Sequence, residues 1–264
     1  MNIPSAEEAR TKFFDTIYRP SIERANFQKP FDDLDRGTRV LSNETECNQY
    51  MALYGGHHFH KLYAAYRSTR FENVEGRNVE IIDWGCGQAL ATCILIDYLI
   101  DTGIKLNASS ITLIEPSAVA LQCGYKHVRQ MFQNHASIDS AIRKIGKYMD
   151  ELLPADLISD PSNIKIHLFS NIIDVEGFDL RQLHQLVTGS FQGINRIICT
   201  SPDNLRKQRL DTFYELFLQS HQPARESNSS EEIYGEIFYA ANRRFERRRI
   251  GRYERQFTVN LTQG

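Results

Sequence analysis

The sequence predicts an α/β protein: a mostly parallel, doubly wound sheet, closed by an antiparallel C-terminal strand pair and carrying an N-terminal helical cap. Three observations predict it. Residues 79–89 read Val-Glu-Ile-Ile-Asp-Trp-Gly-Cys-Gly-Gln-Ala, an apolar strand running into two closely spaced glycines, and an almost wholly apolar stretch of helical length follows. Beyond it, short apolar runs alternate with helical ones, as crossover connections between parallel strands require. Near the C-terminus, Tyr253, Phe257, Val259 and Leu261 fall on one face and Arg252, Glu254, Gln256, Thr258 and Asn260 on the other, the period of a strand.

Taken in order, Ser5 to Tyr18 reads as a helix with acids in its first turn. Residues 19–41 read as irregular, punctuated by Pro20, Pro30 and Gly37. Asn43 followed by Glu46 is a capping box for a helix through about Tyr54. Gly55-Gly56 should break that helix, which resumes from His57 to Arg70. Residues 1–78 are thus expected to form a helical cap over the ligand edge of a sheet built from 79–264.

After the first strand and helix, Ser110 to Glu115 is a second short strand ending in an acid. Residues 117–133 and 136–153 read as helices parted near His135, so no separate third strand is expected between 134 and 163. Residues 164–173 read as a strand, Asp179 to Val187 as a helix, Ile194 to Thr200 as a strand and 205–220 as a helix. Ile233–Ala240 and Ile250–Leu261 close the chain as the antiparallel pair.

Strand, glycine turn and helix form a unit that binds a nucleotide-like ligand at the carboxyl edge of the sheet. Gly85 and Gly87 allow positive φ and a close approach of ligand to backbone, and the amides opening the next helix point at its polar groups. A dinucleotide fingerprint would need a third glycine where Leu90 stands, and a phosphate-binding loop would need a Gly-Lys-Ser/Thr ending that is missing. The pattern Asp-x-Gly-x-Gly-x-Ala instead resembles motif I of the class I (Rossmann-like) S-adenosylmethionine-dependent methyltransferases, with Ala89 in place of the commonest third glycine. The resemblance covers about residues 79–261 and is motif-specific over 79–117. It implies S-adenosyl-L-methionine as cofactor, held by Asp83, Gly85, Cys86, Gly87, Glu115, Pro116 and Ser170. Glu115 would accept hydrogen bonds from the ribose diol, which suits a carboxylate with two acceptor oxygens. The acid that commonly contacts adenine after a third strand has no clear counterpart, and Asp156 and Asp160 are its candidates.

A net charge of −2 and 41% hydrophobic residues in 264 describe a chain able to bury a core. No apolar run reaches the roughly 18 residues of a membrane span, and the N-terminus lacks an apolar signal core, so a cytoplasmic location is expected. The five cysteines (47, 86, 93, 123 and 199) include no C-x-x-C pair, which supports neither a disulfide framework nor a zinc site.

Methyl transfer from a sulfonium needs alignment and exclusion of water above all, and a base only where the nucleophile holds a proton. Candidates therefore come by position, after the fourth strand: Ser170, and Asn171 and Asp174 as catalytic residues, with helix capping as the alternative. The Asn-Pro-Pro-Tyr signature of base-amino methylation is absent, since Asn171 precedes Ile-Ile-Asp, and Cys199 lacks the Pro-Cys setting of cytosine C5 enzymes. In Tyr54-Gly-Gly-His-His-Phe-His-Lys61, His57 and His60 lack a third ligand at metal-binding spacing. The segment suggests instead a structural or pocket-lining role, or else a turn that closes over the cofactor, with Tyr54 or His60 reaching the substrate. Arg243, Arg244, Arg247, Arg248, Arg249, Arg252 and Arg255 form a basic strip that would suit a nucleic acid, or a solvated hairpin edge. The expected function is methyl transfer to RNA or a small molecule. The alternative is a non-catalytic interaction module of the same fold, possible also as one domain of a larger protein. Val79 to Asp83 resembles the Val-His-Ile-Ile-Asp motif of the plant GRAS regulators, which look like such a case.

Overall fold

The computed structural model describes residues 12–27, 34, 39–133 and 138–262. The first half of the helix expected from Ser5 to Tyr18, together with Pro30, Gly37 and the break expected at His135, lies outside the described residues. A π-helical turn, Phe14–Tyr18, runs directly into α1 (Arg19–Arg24). Pro20, which reads as punctuation, stands in the first turn of α1, directly after the π-helical turn.

The helix α2 spans Glu44–Arg67 without interruption, so Gly55-Gly56 is not the break that its sequence suggests. The reason is packing. A Cβ on Gly55 would lie 2.8 Å from Tyr18 Cδ2, and one on Gly56 would lie 2.7 Å from Tyr18 Oη and 3.0 Å from Ile237 Cγ2. The two glycines let the backbone of α2 press against α1 and the sheet. The capping expectation holds: Asn43 Oδ1 accepts from the Glu46 amide at 3.0 Å, while Glu46 Oε2 reaches back to the Ser42 amide at 2.7 Å.

The sheet follows in chain order as β1 (Asn78–Trp84), α3 (Leu90–Thr102), β2 (Asn107–Ile114), α4 (Ala118–Met131), β3 (Ile142–Ile145), β4 (Ile164–Ser170), α5 (Leu180–Ser190), β5 (Gly193–Ser201), α6 (Gln208–Ser220), β6 (Ala224–Tyr239) and β7 (Arg244–Leu261). Its strand order is β3-β2-β1-β4-β5-β7-β6. The first five strands pair in parallel, β7 runs antiparallel to β5, and β6 pairs antiparallel with β7. One face packs on α2, α3 and α4 through residues such as Ile81, Ile111 and Ile166. The other packs on α5 and α6 through Trp84, Phe169 and Phe257. This is the doubly wound architecture expected from the sequence.

Two stretches correct that reading. The helix expected over 136–153 is instead the third strand β3 followed by short 3₁₀ turns at Met149–Glu151 and Pro154–Asp156. Ile138, Ile142 and Ile145 recur at intervals of four and three, which imitates a helix, but β3 is an edge strand of four residues fixed by pairing with β2. On β7 the polar face is not exposed throughout: Arg252, Glu254 and Gln256 are buried beneath α2 and β6. Gln256 Nε2 donates to Ala65 O of α2 at 2.8 Å, and its Oε1 accepts from Thr69. No helix among the described residues is long and apolar enough to cross a membrane.

Helix propensity alone would make Gly56→Ala stabilising by about 1 kcal/mol. Here the added methyl would displace the buried Tyr18 ring, whose hydroxyl accepts from the Phe238 amide at 3.1 Å. The expected outcome in equilibrium denaturation is a net loss of roughly 1–3 kcal/mol, as overpacking outweighs propensity. A gain in stability would place α2 farther from Tyr18 than this packing requires.

Candidate functional site

The carboxyl edge of the sheet is shaped by the turn after β1. Gly85, Gly87 and Ala89 take φ of +57°, +51° and +58°. A Cβ on Gly85 would strike Ile172 at 2.8 Å, so the loop after β4 closes directly over it. A Cβ on Gly87 would meet nothing within 4 Å, because that amide borders an open cavity. Ala89 keeps the left-handed conformation despite its methyl, and Gly124 of α4 gives it room, with a would-be Cβ 3.0 Å away.

Asp83 lies at the end of β1, but its carboxylate turns inward. Its Oδ2 accepts from the Thr92 amide at 3.2 Å and Thr92 Oγ1 at 2.7 Å, tying the turn to the first turn of α3. Burial pushes its pKa up to about 7, against the opposing pull of the two Thr92 bonds. Cys86 packs in the core beside α3, and burial pushes its thiol up. Neither residue lines the cavity.

Glu115 does. It follows β2, and its Oε2 accepts from the Gly87 amide at 3.0 Å while Oε1 accepts from the Ser117 amide at 2.9 Å. Desolvation raises its pKa and the two amides oppose that shift. The cavity, about 330 Å³, is lined by Gly85, Gly87, Glu115 and Pro116 on one side and by Ser170, Asn171, Ile172, Val175 and Phe178 on another. Lys147, Tyr148, Met149 and Asp150 wall it beyond β3, and Leu41 and Tyr50 cover it from the cap. Asp150 is therefore the acid at the third-strand end of the cavity. Of the two acids proposed for that place, Asp156 pairs with Lys147 at 2.8 Å. Asp160 accepts from Ser162, and its amide donates to Glu80 at 2.8 Å, near the start of β1 and β4.

At the Asn171 end a buried polar chain crosses from sheet to cap. Asn171 sits at φ +56°, its amide donating to Thr200 O at 2.8 Å. Its Oδ1 accepts from Lys61 and its Nδ2 faces His58 Nε2 at 2.9 Å; the hydroxyl of Tyr50 lies 3.3 Å from the same imidazole nitrogen. Lys61 is 3% exposed. Burial drives its pKa from 10.5 to about 7, with Asp174 opposing the shift. Asp174 is itself buried, accepts from Asn204 Nδ2 at 2.9 Å, and lies behind the cavity wall rather than on it.

Tyr50, His58 and Lys61 are given no role in the sequence reading. At spacings of eight and three they share a helix face, a pattern hidden once the helix is cut at Gly55-Gly56. The residues favoured there lie elsewhere: Tyr54 packs on Tyr50 in a small apolar cluster, and His60 Nε2 meets Glu236 O at 2.9 Å on β6. Among the described residues no group of His, Cys, Asp or Glu is arranged to hold a metal. The arginine strip runs along β7 with acids beside it: Arg244 and Arg248 pair with Glu246, Arg249 with Glu232, Arg252 with Glu231 and Glu254, and Arg255 with Asp211. Arg243 stacks over Phe27 and Arg247 over Tyr234.

A carboxyl raised by burial favours the fold in its protonated form. The contribution of Asp83 is therefore complete below the ordinary aspartate value near 3.8 and is lost as pH rises through about 7. Asp83→Asn is expected to raise the melting temperature at pH 8 and leave it nearly unchanged at pH 4, as read by thermal denaturation across pH. Equal shifts at both values would mean that Asp83 is ionised in the folded state throughout.

No protein-family model matches the chain, and comparison with curated proteins finds no match. Solved structures do align with it. A precorrin-6y C5,15-methyltransferase of Geobacter metallireducens shares 10% identity over 75% of this chain and 86% of its own, with a TM-score of 0.43. The YcgJ protein of Bacillus subtilis shares 9% over 78% and 100%, at 0.47, and a tRNA methyltransferase of Aquifex aeolicus 8% over 78% and 69%, at 0.39. The strand order, the reversed β7 and the glycine turn after β1 give the mostly parallel, doubly wound sheet with a closing antiparallel pair that the sequence predicts.

Proposed function

We propose that this protein is an S-adenosylmethionine-dependent methyltransferase. The observation that carries the reading is the bond between Gly87 and Glu115: it joins the glycine turn of β1 to the carboxylate after β2 at the open end of one cavity. The cavity's volume falls within the roughly 300–1,000 Å³ of small-molecule sites. The residues present fit the group. The bare Gly87 faces space that a Cβ would fill, the Glu115 oxygens keep lone pairs for a vicinal diol, and Asp150 stands near the apolar walls of Met149, Ile172 and Phe178 that suit a purine ring.

In this reading Glu115 holds the ribose, Gly85 and Gly87 admit the methionine end, and Pro116 and Ser170 complete the wall. Asp83 and Cys86 act from behind, Asp83 by fixing the start of α3. The bound cofactor supplies an electrophilic methyl on a sulfonium, which needs no further activation. The protein's share is to align an acceptor and exclude water, and the Asn171 end, closed by α2, serves both. Asp174 acts there through the field it exerts on Lys61.

Calorimetry with S-adenosylhomocysteine tests the reading. The parent is expected to bind, Gly87→Val to lose binding, and Glu115→Ala to weaken it at least about tenfold, the loss of one charge-assisted hydrogen bond or more. Melting of Glu115→Ala should stay close to the parent's. A parent that does not bind S-adenosylhomocysteine would remove the enzyme reading and leave the interaction module of the same fold.

A further inference from the structure

The polar end of the cavity continues into a buried layer beneath α2. Phe169 and Cys199 belong to the core on the α5–α6 face, so strand alternation turns their neighbours Ser170 and Thr200, which are register partners, toward the α2 face. There Ser170 Oγ, Thr200 Oγ1 and Asp174 Oδ1 are buried without a hydrogen-bond partner among the described residues. Buried polar atoms are ordinarily satisfied, and of these three residues Ser170 lines the cavity, so its unpaired oxygen points to a ligand that supplies a donor there, with Thr200 and Asp174 behind it. Lys61 stands one hydrogen bond behind the cavity wall, through Asn171. Of charged groups on other described elements, Asp174 is the one whose field reaches it; His57 and His58, on its own helix, are held lower by burial and then by its charge.

Resting on the methyl-transfer reading, we propose that the acceptor is a small molecule that presents a neutral amine N–H or a hydroxyl to the Ser170–Asn171 end of the cavity, and that Lys61 takes up the proton released there. The acceptor's nitrogen or oxygen gives its electron pair to the methyl carbon, the carbon–sulfur pair leaves with the sulfur, and the acceptor's N–H or O–H proton passes to the lone pair of the Lys61 nitrogen, which exchanges its bond to Asn171 Oδ1 for one to the acceptor. The ammonium so formed faces Asp174. Desolvation supplies the condition this requires, since it holds the amine partly unprotonated at neutral pH. The size of the cavity and its cover by α2 favour a small acceptor over a polynucleotide, as do the paired arginines of β7.

Two measurements decide it. An NMR pH titration of the Lys61 side chain in the unmodified protein, assigned by its loss in Lys61→Arg, should give a midpoint near 7; a midpoint near 10 overturns the proposal. Transfer of labelled methyl to a panel of simple phenols, alcohols and amines should rise with pH through that midpoint. In Lys61→Met it should fall roughly 100-fold and lose the rise. Lys61→Arg, which keeps the charge and cannot give it up, should not restore it. Unchanged transfer in Lys61→Met, transfer confined to carboxylates or thiols, transfer to RNA alone, or transfer to none of the panel each overturns the acceptor class. S-adenosylhomocysteine binding separates the two readings: if the parent and Lys61→Met both bind it, failure of the panel falls on the acceptor proposal alone.

Discussion

The close approach of one helix to a sheet sets most of what this protein can do. Because Gly55 and Gly56 carry no side chain, α2 lies against Tyr18 and Ile237, and its N-terminal half is laid over the carboxyl edge of β1, β2 and β4. The contact is reinforced along the helix: Gln88 Nε2 donates to Cys47 O at 2.9 Å, and Tyr66 Oη to Ala91 O at 2.8 Å. An open α/β sheet leaves its ligand crevice to solvent. Here the crevice has a lid built as an integral part of the core, and the lid brings with it Tyr50, His58 and Lys61.

The two faces of the sheet are chemically unlike as a result. Against α5 and α6 the packing is aromatic and aliphatic, with Trp84, Phe169, Phe213 and Phe217 all fully buried. Under α2, beyond the apolar centre, it includes buried Arg196, Arg252, Glu254 and Gln256. Arg196 Nη1 donates to Arg70 O at 3.0 Å, and Arg252 pairs with Glu254 at 3.4 Å. Buried pairs of this kind contribute little net stability, since desolvation cancels most of the attraction. They do fix which groups face one another.

The parts legible in the sequence were those governed by local chemistry. The Gly85–Gly87 turn, the acid at 115, the capped start of α2 and the alternation of β7 each follow from a few adjacent residues. What escaped depends on distant partners. β3 imitates a helix, and only pairing with β2 makes it a strand. Residues 224–232 (Ala-Arg-Glu-Ser-Asn-Ser-Ser-Glu-Glu) show no apolar alternation and join β6 because β7 is beside them. The Gly-Gly pair reads as a break in one dimension and as a packing surface in three, and that one difference concealed the cap's share of the site. The inward turn of Asp83 was likewise invisible, since a carboxylate after a strand gives no sign of the threonine nine residues on that will claim it.

A helix of 24 residues is about 36 Å of stiff rod, and here it is anchored at both ends. Asn43 caps one end near the cavity, and at the other Thr69 and Ala65 are tied to Gln256 on β7. Such a rod cannot flex open over the site as a loop would. Any motion that bares Lys61 must either lever the whole helix off β6 and β7 or leave it in place and open the strap at 39–41, which is tied to α4 by the bond from Ser117 Oγ to Leu41 O. The mechanical stiffness of α2 therefore holds the far wall of the cavity, Asn171 included, at a fixed distance from the cap, so a guest must fit a width that the helix does not adjust.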